Sequence, residues 1–193
     1  MPDAGGSERP PDRDRSSDAT SARPDVSLGV AVVTISAERT IETDEPTAEI
    51  VRALEAAHHE ITVRERIDST HDAVQATISR LVDRDDVELI VTAGSTGIDP
   101  SDVTIEAVRP IIDRDLPTFC QLFARRVADR IGSRAIAGRT EAGIVDGVPV
   151  FCLPGNADAT TLATEELIGP EAGRLVAEAR GESIDADESI DEE

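Results

Sequence analysis

Gly94, Ser95, Thr96 and Gly97, followed by Asp99 and Asp102, lie in the stretch TAGSTGIDPSDVTIEA between Thr92 and Ala107. Glycine has no Cβ, so Gly94 and Gly97 let backbone amides approach a ligand closely and take positive φ. An apolar run precedes the turn and a helix-like stretch follows it; a helix N-terminus offers unpaired N–H groups and a positive dipole end to phosphate. Two carboxylates beside such a cradle repel phosphate unless a cation sits between them. The chemistry these residue types suggest is a Mg2+–nucleotide site. Taken alone, they describe equally well a tight strand-to-helix connection in which Asp102 is an N-cap. A second turn, LPGN from Leu153 to Asn156, also follows an apolar run and precedes a helix-like stretch. Two such turns can face each other across one crevice.

The elements that position these turns alternate along the chain. SLGVAVVTIS (Ser27 to Ser36) is a continuous apolar run of the length of a doubly buried strand. From Thr47, apolar Ile50, Val51, Leu54 and Ala57 recur at helical spacing, and EITVRERI (Glu60 to Ile67) alternates like a strand nearer an edge. The stretch from Ala73 is helical again through Val74, Ile78 and Leu81, and VELIVTA (Val87 to Ala93) is the next buried strand. The order βαβαβ implies right-handed crossovers and a mainly parallel sheet covered on both faces. Ligands in such folds bind beyond the C-terminal strand ends, where Ser36 and Gly94 can meet. Further on, DVTIEAVRPIIDRD and FCQLFARRVADRIG read as helices, and AGIVDGVPVFCLPG as a hairpin around Val-Asp-Gly. The stretch from Ala157 to Val176 closes the fold as one or two helices.

Composition bounds the rest. The chain of 193 residues fits one domain with tails: residues 1–26 as a disordered lead, 27–176 as the folded domain and 177–193 as an acidic disordered tail. Aromatics are only 2%, so Val, Ile, Leu and Ala must build the core. Acids number 40 against 19 basic residues, all of them Arg, for a net charge of −21. A dense acidic surface is tolerable where salt shortens the Debye length to about 3 Å at 1 M. The expectation is a salt-adapted cytoplasmic protein of halophilic archaeal type. The same charge argues against nucleic acid, and no membrane-length apolar run occurs. Cys120 and Cys152 have no metal-like spacing, and His58, His59 and His71 form no ligand cluster with them, so both cysteines read as small buried hydrophobes.

In order and spacing, the segments VVTIS, TAGSTGIDPSDVTIEA, LPTF, GRTEAG and LPGN resemble the MoaB/MogA family of molybdenum cofactor biosynthesis proteins. The family pattern runs from an apolar strand ending in Ser through T-G-G-T-G-x-x-x-R-D-V-T-P-E-A, P-G-F and Ser-Arg to L-P-G-S/N-P. The resemblance covers Leu28 to about Val176. It implies an α/β fold, a three-layer sandwich around a mostly parallel central sheet, assembled as a homo-oligomer (trimer or hexamer). It also implies Mg-ATP-dependent adenylation of molybdopterin, with pyrophosphate released before a partner protein inserts molybdenum. By that resemblance Gly94, Ser95, Thr96 and Gly97 form the phosphate and pterin loop, and Asp102 is the catalytic acid and a Mg2+ ligand. Thr104 and Glu106 continue the motif, Arg139 is the Ser-Arg arginine, Pro154, Gly155 and Asn156 form the second loop, and Ser36 ends the first strand.

The departures from the pattern shape the alternatives. Ser95 stands for a glycine, Ser101 for an arginine, Ala37 for the Asp after the strand-ending Ser36, and Asp44 to Thr47 for D-x-S-G. Asp68, Ser69 and Thr70 fall on P-D-D, so Ser69 takes the place of the other catalytic acid unless a one-residue slip lets Asp68 substitute. Thr118 replaces the P-G-F glycine, and Ala124 an arginine. One alternative is therefore a family member that binds molybdopterin or nucleotide without catalysis, as a carrier or scaffold. Another is a related α/β domain with a different substrate.

Overall fold

The structure, a computed structural model, describes residues 27–36 and 44–182. The leader expected at 1–26 and the part of the acidic tail from 183 onward lie outside the described residues.

Among the described residues six strands form one sheet: β1 (Gly29–Ile35), β2 (Glu60–Ile67), β3 (Leu89–Ala93), β4 (Arg114–Asp115), β5 (Glu141–Val145) and β6 (Val148–Leu153). Their order in space is β2-β1-β3-β6-β5-β4. The four strands β2, β1, β3 and β6 run parallel, and β5 and β4 close one side antiparallel. The alternating β2 sits at the edge, and the fully buried β3 sits in the middle. A strand buried on both faces needs a continuous apolar run, whereas an edge strand with one wet face does not.

Helices cover both faces. On one side α1 (Glu45–Ala56), α4 (Pro117–Ile131), α5 (Ala157–Ala163) and α6 (Gly169–Ala179) pack through Ile50, Leu54, Phe123, Leu162 and Val176 onto Val30, Val32 and Val91. On the other, α2 (His71–Val82) and α3 (Thr104–Val108) pack through Val74, Ile78, Ala107 and Val108 onto Ala31, Val33 and Ile90. This is the expected three-layer sandwich.

Local chemistry sets the boundaries. Pro46 lies in the first turn of α1, where its missing N–H costs nothing. The Thr70 hydroxyl caps α2 by accepting from Ala73 N at 3.4 Å. The β5–β6 hairpin turns at Asp146 and Gly147, both at positive φ (49° and 82°), as a two-residue turn matched to strand twist requires.

One expectation is corrected. The single helix read from Asp102 onward breaks after Val108 into a 3-10 turn at Arg109–Ile111 and then the short strand β4. Pro110 lacks an N–H and clashes with the preceding turn, which ends the helix. At the C-terminus, α6 runs past Val176 to Ala179, and Arg180 pairs with Glu88 at 2.7 Å.

Candidate functional site

The glycine turn leaves the C-terminal end of β3 in the middle of the sheet. Gly94 has φ +110°, and a Cβ there would lie 2.3 Å from Ile35 O at the end of β1. Its N–H donates to Leu153 O at 3.0 Å, the last residue of β6. The turn is thus wedged between the ends of β1 and β6, and the loop Pro154, Gly155, Asn156 begins beside it. Ser36, half-buried, donates its N–H to Ile67 O at the end of β2. The structure therefore brings Ser36, the glycine turn and the LPGN loop together beyond the C-terminal ends of neighbouring parallel strands.

Beneath the turn, Thr104 is fully buried; its hydroxyl donates to Gly94 O at 2.9 Å and its N–H to Ser95 O at 2.9 Å. Thr96 is buried, and its carbonyl accepts from Arg139 Nε at 3.0 Å. The two terminal nitrogens of Arg139 grip Glu106 at 2.6 and 3.2 Å. That contact holds the Glu106 carboxyl below the usual range and raises the Arg139 guanidinium, to which the charge of Asp102 also contributes. Asn156 caps α5, its Oδ1 accepting from Ala159 N at 3.0 Å.

Asp102 does not cap α3. The residue at the cap position is Val103, whose N–H donates to the Ser95 hydroxyl at 2.9 Å, while Asp102 Oδ2 accepts from Asp99 N at 3.1 Å. Helix capping is therefore not what Asp102 does here. Asp99 is held in its own small loop, with Oδ1 accepting from the amide and hydroxyl of Ser101 at 2.9 and 2.6 Å; the hydroxyl contact leads in holding its carboxyl low.

Ser69, not Asp68, faces the turn. Ser69 Oγ lies 2.6 Å from Ser95 Oγ, whereas Asp68 is exposed and pairs with Arg66 at 3.2 Å. The register slip that would bring Asp68 to the site does not occur. Arg66 also donates to Ser36 O at 2.7 Å, a contact that no motif signalled. Of the cysteines, Cys152 is buried and its thiol is pushed up to about 12 by burial, while Cys120 is only half-buried.

Residues 31–174 match the family described as "Probable molybdopterin binding domain". The chain belongs to the MoaB/MogA family. A molybdenum cofactor biosynthesis protein B of Bacillus subtilis is 36% identical to it over 150 residues, spanning 77% of this chain and 88% of that protein. A crystal structure of a molybdenum cofactor biosynthesis protein B superposes with a TM-score of 0.79 at 32% identity, covering 83% of this chain and all of the other. A tungsten cofactor synthesizing protein MoaB from Pyrococcus furiosus superposes at 0.71 with 26% identity, covering 80% of this chain and 98% of that one.

Whether a MoaB/MogA site built from these residues suits Mg2+ depends on its donors. Among the described residues no three His, Cys, Asp or Glu cluster to hold an ion by themselves. Mg2+ commonly binds through one or two carboxylates plus substrate phosphates and waters. Asp102 fits that use, because its hydrogen bond engages Oδ2 and leaves Oδ1 for a cation carried in by phosphate. Asp99 fits less well, with Oδ1 already taken by Ser101.

A Cβ on Gly97 would lie 2.5 Å from Asp102 Oδ2, at the end of a flexible side chain. Gly97→Ala should therefore push the carboxylate aside at little cost in stability. The expected result is a melting temperature close to that of the parent with clearly weakened binding of Mn2+–ATP, read by electron paramagnetic resonance. Unchanged Mn2+–ATP binding would detach Asp102 from the cation.

Proposed function

We propose that this chain adenylates molybdopterin with Mg-ATP before metal insertion. The observation that supports this reading most is the meeting of the two strand-end loops, with Gly94 N 3.0 Å from Leu153 O and with Asp102 and Arg139 alongside. In the reaction a phosphate oxygen of molybdopterin bonds to the α-phosphorus of ATP, the bond from that phosphorus to the bridging oxygen breaks, and pyrophosphate leaves with the electron pair. Mg2+ held with ATP supplies positive charge against the charge that spreads over the phosphate oxygens. The protein's part is placement. The glycine turn would offer backbone N–H groups, Arg139 adds a cation whose geometry Glu106 fixes, and the Asp102 carboxylate would hold the metal. Such a reaction asks for no protein nucleophile.

The test is to incubate the purified chain in molar KCl with molybdopterin and Mg-ATP and look for pyrophosphate and adenylated product. Binding of molybdopterin with neither product would favour the second reading, a carrier that binds without turnover. Ser69 supports that alternative, because its hydroxyl stands where the family resemblance expects an acid.

The same reading includes a homo-oligomer, a molybdenum-inserting partner and a cytoplasmic, salt-adapted setting. A net charge of −21 makes self-repulsion loosen the fold at low ionic strength. The melting temperature should rise steeply from dilute buffer to molar KCl. A flat response in scanning calorimetry would show that the acidity is no salt adaptation.

A further inference from the structure

Two serine hydroxyls from separate loops, Ser69 and Ser95, join the Ser101 carbonyl in a set of contacts that can be ordered by counting protons. Val103 N–H donates to Ser95 Oγ at 2.9 Å, so that oxygen is an acceptor there. Ser69 Oγ lies 2.9 Å from Ser101 O, and a carbonyl can only accept, so the Ser69 proton goes to it. The contact of 2.6 Å between Ser95 Oγ and Ser69 Oγ then needs a proton from Ser95. The alternative, with Ser69 donating to Ser95, would send the Ser95 proton to Ser101 O at 3.4 Å and leave the shorter contact at 2.9 Å without one. The ordered chain therefore runs from Val103 N–H through Ser95 and Ser69 to Ser101 O.

Its two ends lie on either side of one residue. Ser101 O belongs to the peptide group before Asp102, and Val103 N–H to the one after it. Asp102 N–H is itself held by Asp99 O at 2.8 Å. Ser95 has φ +52°, a left-handed conformation that few residues other than glycine, Asn and Asp adopt readily. A non-glycine residue kept at such an angle needs compensating contacts, and here those contacts are the hydroxyl chain.

We infer that Ser69 and Ser95 are positioning residues for Asp102, a pair of hydroxyls that clamps both of its peptide groups and so aims its free carboxylate oxygen. This rests on the reading of Asp102 as the anchor of a nucleotide-bound cation. The clamp is one connected unit, so removing either hydroxyl releases the same constraint. It also gives Ser69 a use for a hydroxyl that a carboxylate could not serve: an ionised carboxylate has no proton to donate to Ser101 O.

The test uses the full chain in molar KCl with Mn2+ and ATP, following bound Mn2+ by electron paramagnetic resonance and, separately, unfolding by denaturant. Asp102→Asn comes first and should abolish the Mn2+ site; if Mn2+–ATP binds unchanged, the cation-anchor reading fails and the clamp, which rests on it, is overturned with it. Given that loss, Ser69→Ala should weaken Mn2+–ATP binding roughly tenfold, and Ser69→Thr, which keeps the hydroxyl, should restore it. Ser95→Gly should weaken it to a similar degree while leaving stability unchanged or higher, since glycine relieves the positive φ. The double variant should be no worse than the poorer single, as members of one network are not additive. Full Mn2+–ATP binding by Ser69→Ala, or failure of Ser69→Thr to restore it, would overturn the clamp while leaving the role of Asp102 standing.

Discussion

Replacing Asp102 by Asn should remove Mg-dependent adenylation while the protein melts almost as before. The structure separates the two roles a carboxylate at this place could have. A capping Asp at the start of α3 would make the Asn variant uninformative, because Asn caps about as well. Asp102 is not that cap; Ser95 Oγ meets the Val103 amide instead. Asn keeps an oxygen for the Asp99 amide but loses the charge that attracts a cation. A metal-anchoring carboxylate contributes several kcal/mol at the transition state. A loss of kcat/KM of about 100-fold or more, near 3 kcal/mol, is expected. The check is steady-state release of pyrophosphate against Mg2+ concentration, beside thermal unfolding of the same sample. Wild-type turnover with wild-type Mg2+ dependence would end the proposal.

Gly94→Ala should be strongly damaging, because a positive φ and a backbone clash coincide there. Its φ of +110° is one that residues with a side chain rarely adopt, and the new Cβ would sit 2.3 Å from Ile35 O. That oxygen belongs to the backbone of β1, which is paired on both sides by β2 and β3, so it has no direction in which to yield. Strain of this kind together with a backbone clash costs about 3–5 kcal/mol, against a typical total stability of about 5–15 kcal/mol. Gly181→Ala is the control: φ is +74°, but nothing lies within 4 Å of the added Cβ, so only the backbone term of roughly 1 kcal/mol remains. Denaturant unfolding of the two variants in molar KCl gives the comparison. Equal losses would mean that the packing of Gly94 against β1 is not what requires a glycine.

Much of this architecture was legible before any coordinates. Continuous apolar runs gave β1 and β3 as buried strands, alternation gave β2 as the edge, and the Asp146-Gly147 pair gave the hairpin. Each is a case where local chemistry and final environment agree. The stretch from Asp102 to Asp115 was not legible in the same way. Its apolar spacing is helical, yet Pro110 stops the helix, and Arg114 and Asp115 find partners in β5 at Gly143 and Ile144. Pairing between residues so far apart leaves no local periodicity to read. At the site, glycine and carboxylate types identified the turn, because few other residues can do their work. The serines gave no such signal. A hydroxyl can donate, accept or do neither, and only the fold reveals that Ser69 meets Ser95 across 26 positions of chain.

The wedged position of the glycine turn also bears on the thermodynamics of recognition. Gly94 touches β1 through Ile35, β6 through Leu153 and α3 through Thr104, so opening the turn requires parting the centre of the sheet. The conformational entropy of ordering that loop is therefore spent during folding and is not charged again when a ligand arrives. Loops anchored this way belong to the most protected cooperative unit of a protein and not to its low-stability periphery. The Gly94 amide, bonded to Leu153 O, should exchange with solvent only as slowly as β3 itself. A ligand seating on the turn should then show an association rate set by diffusion and desolvation, with no slow isomerisation phase.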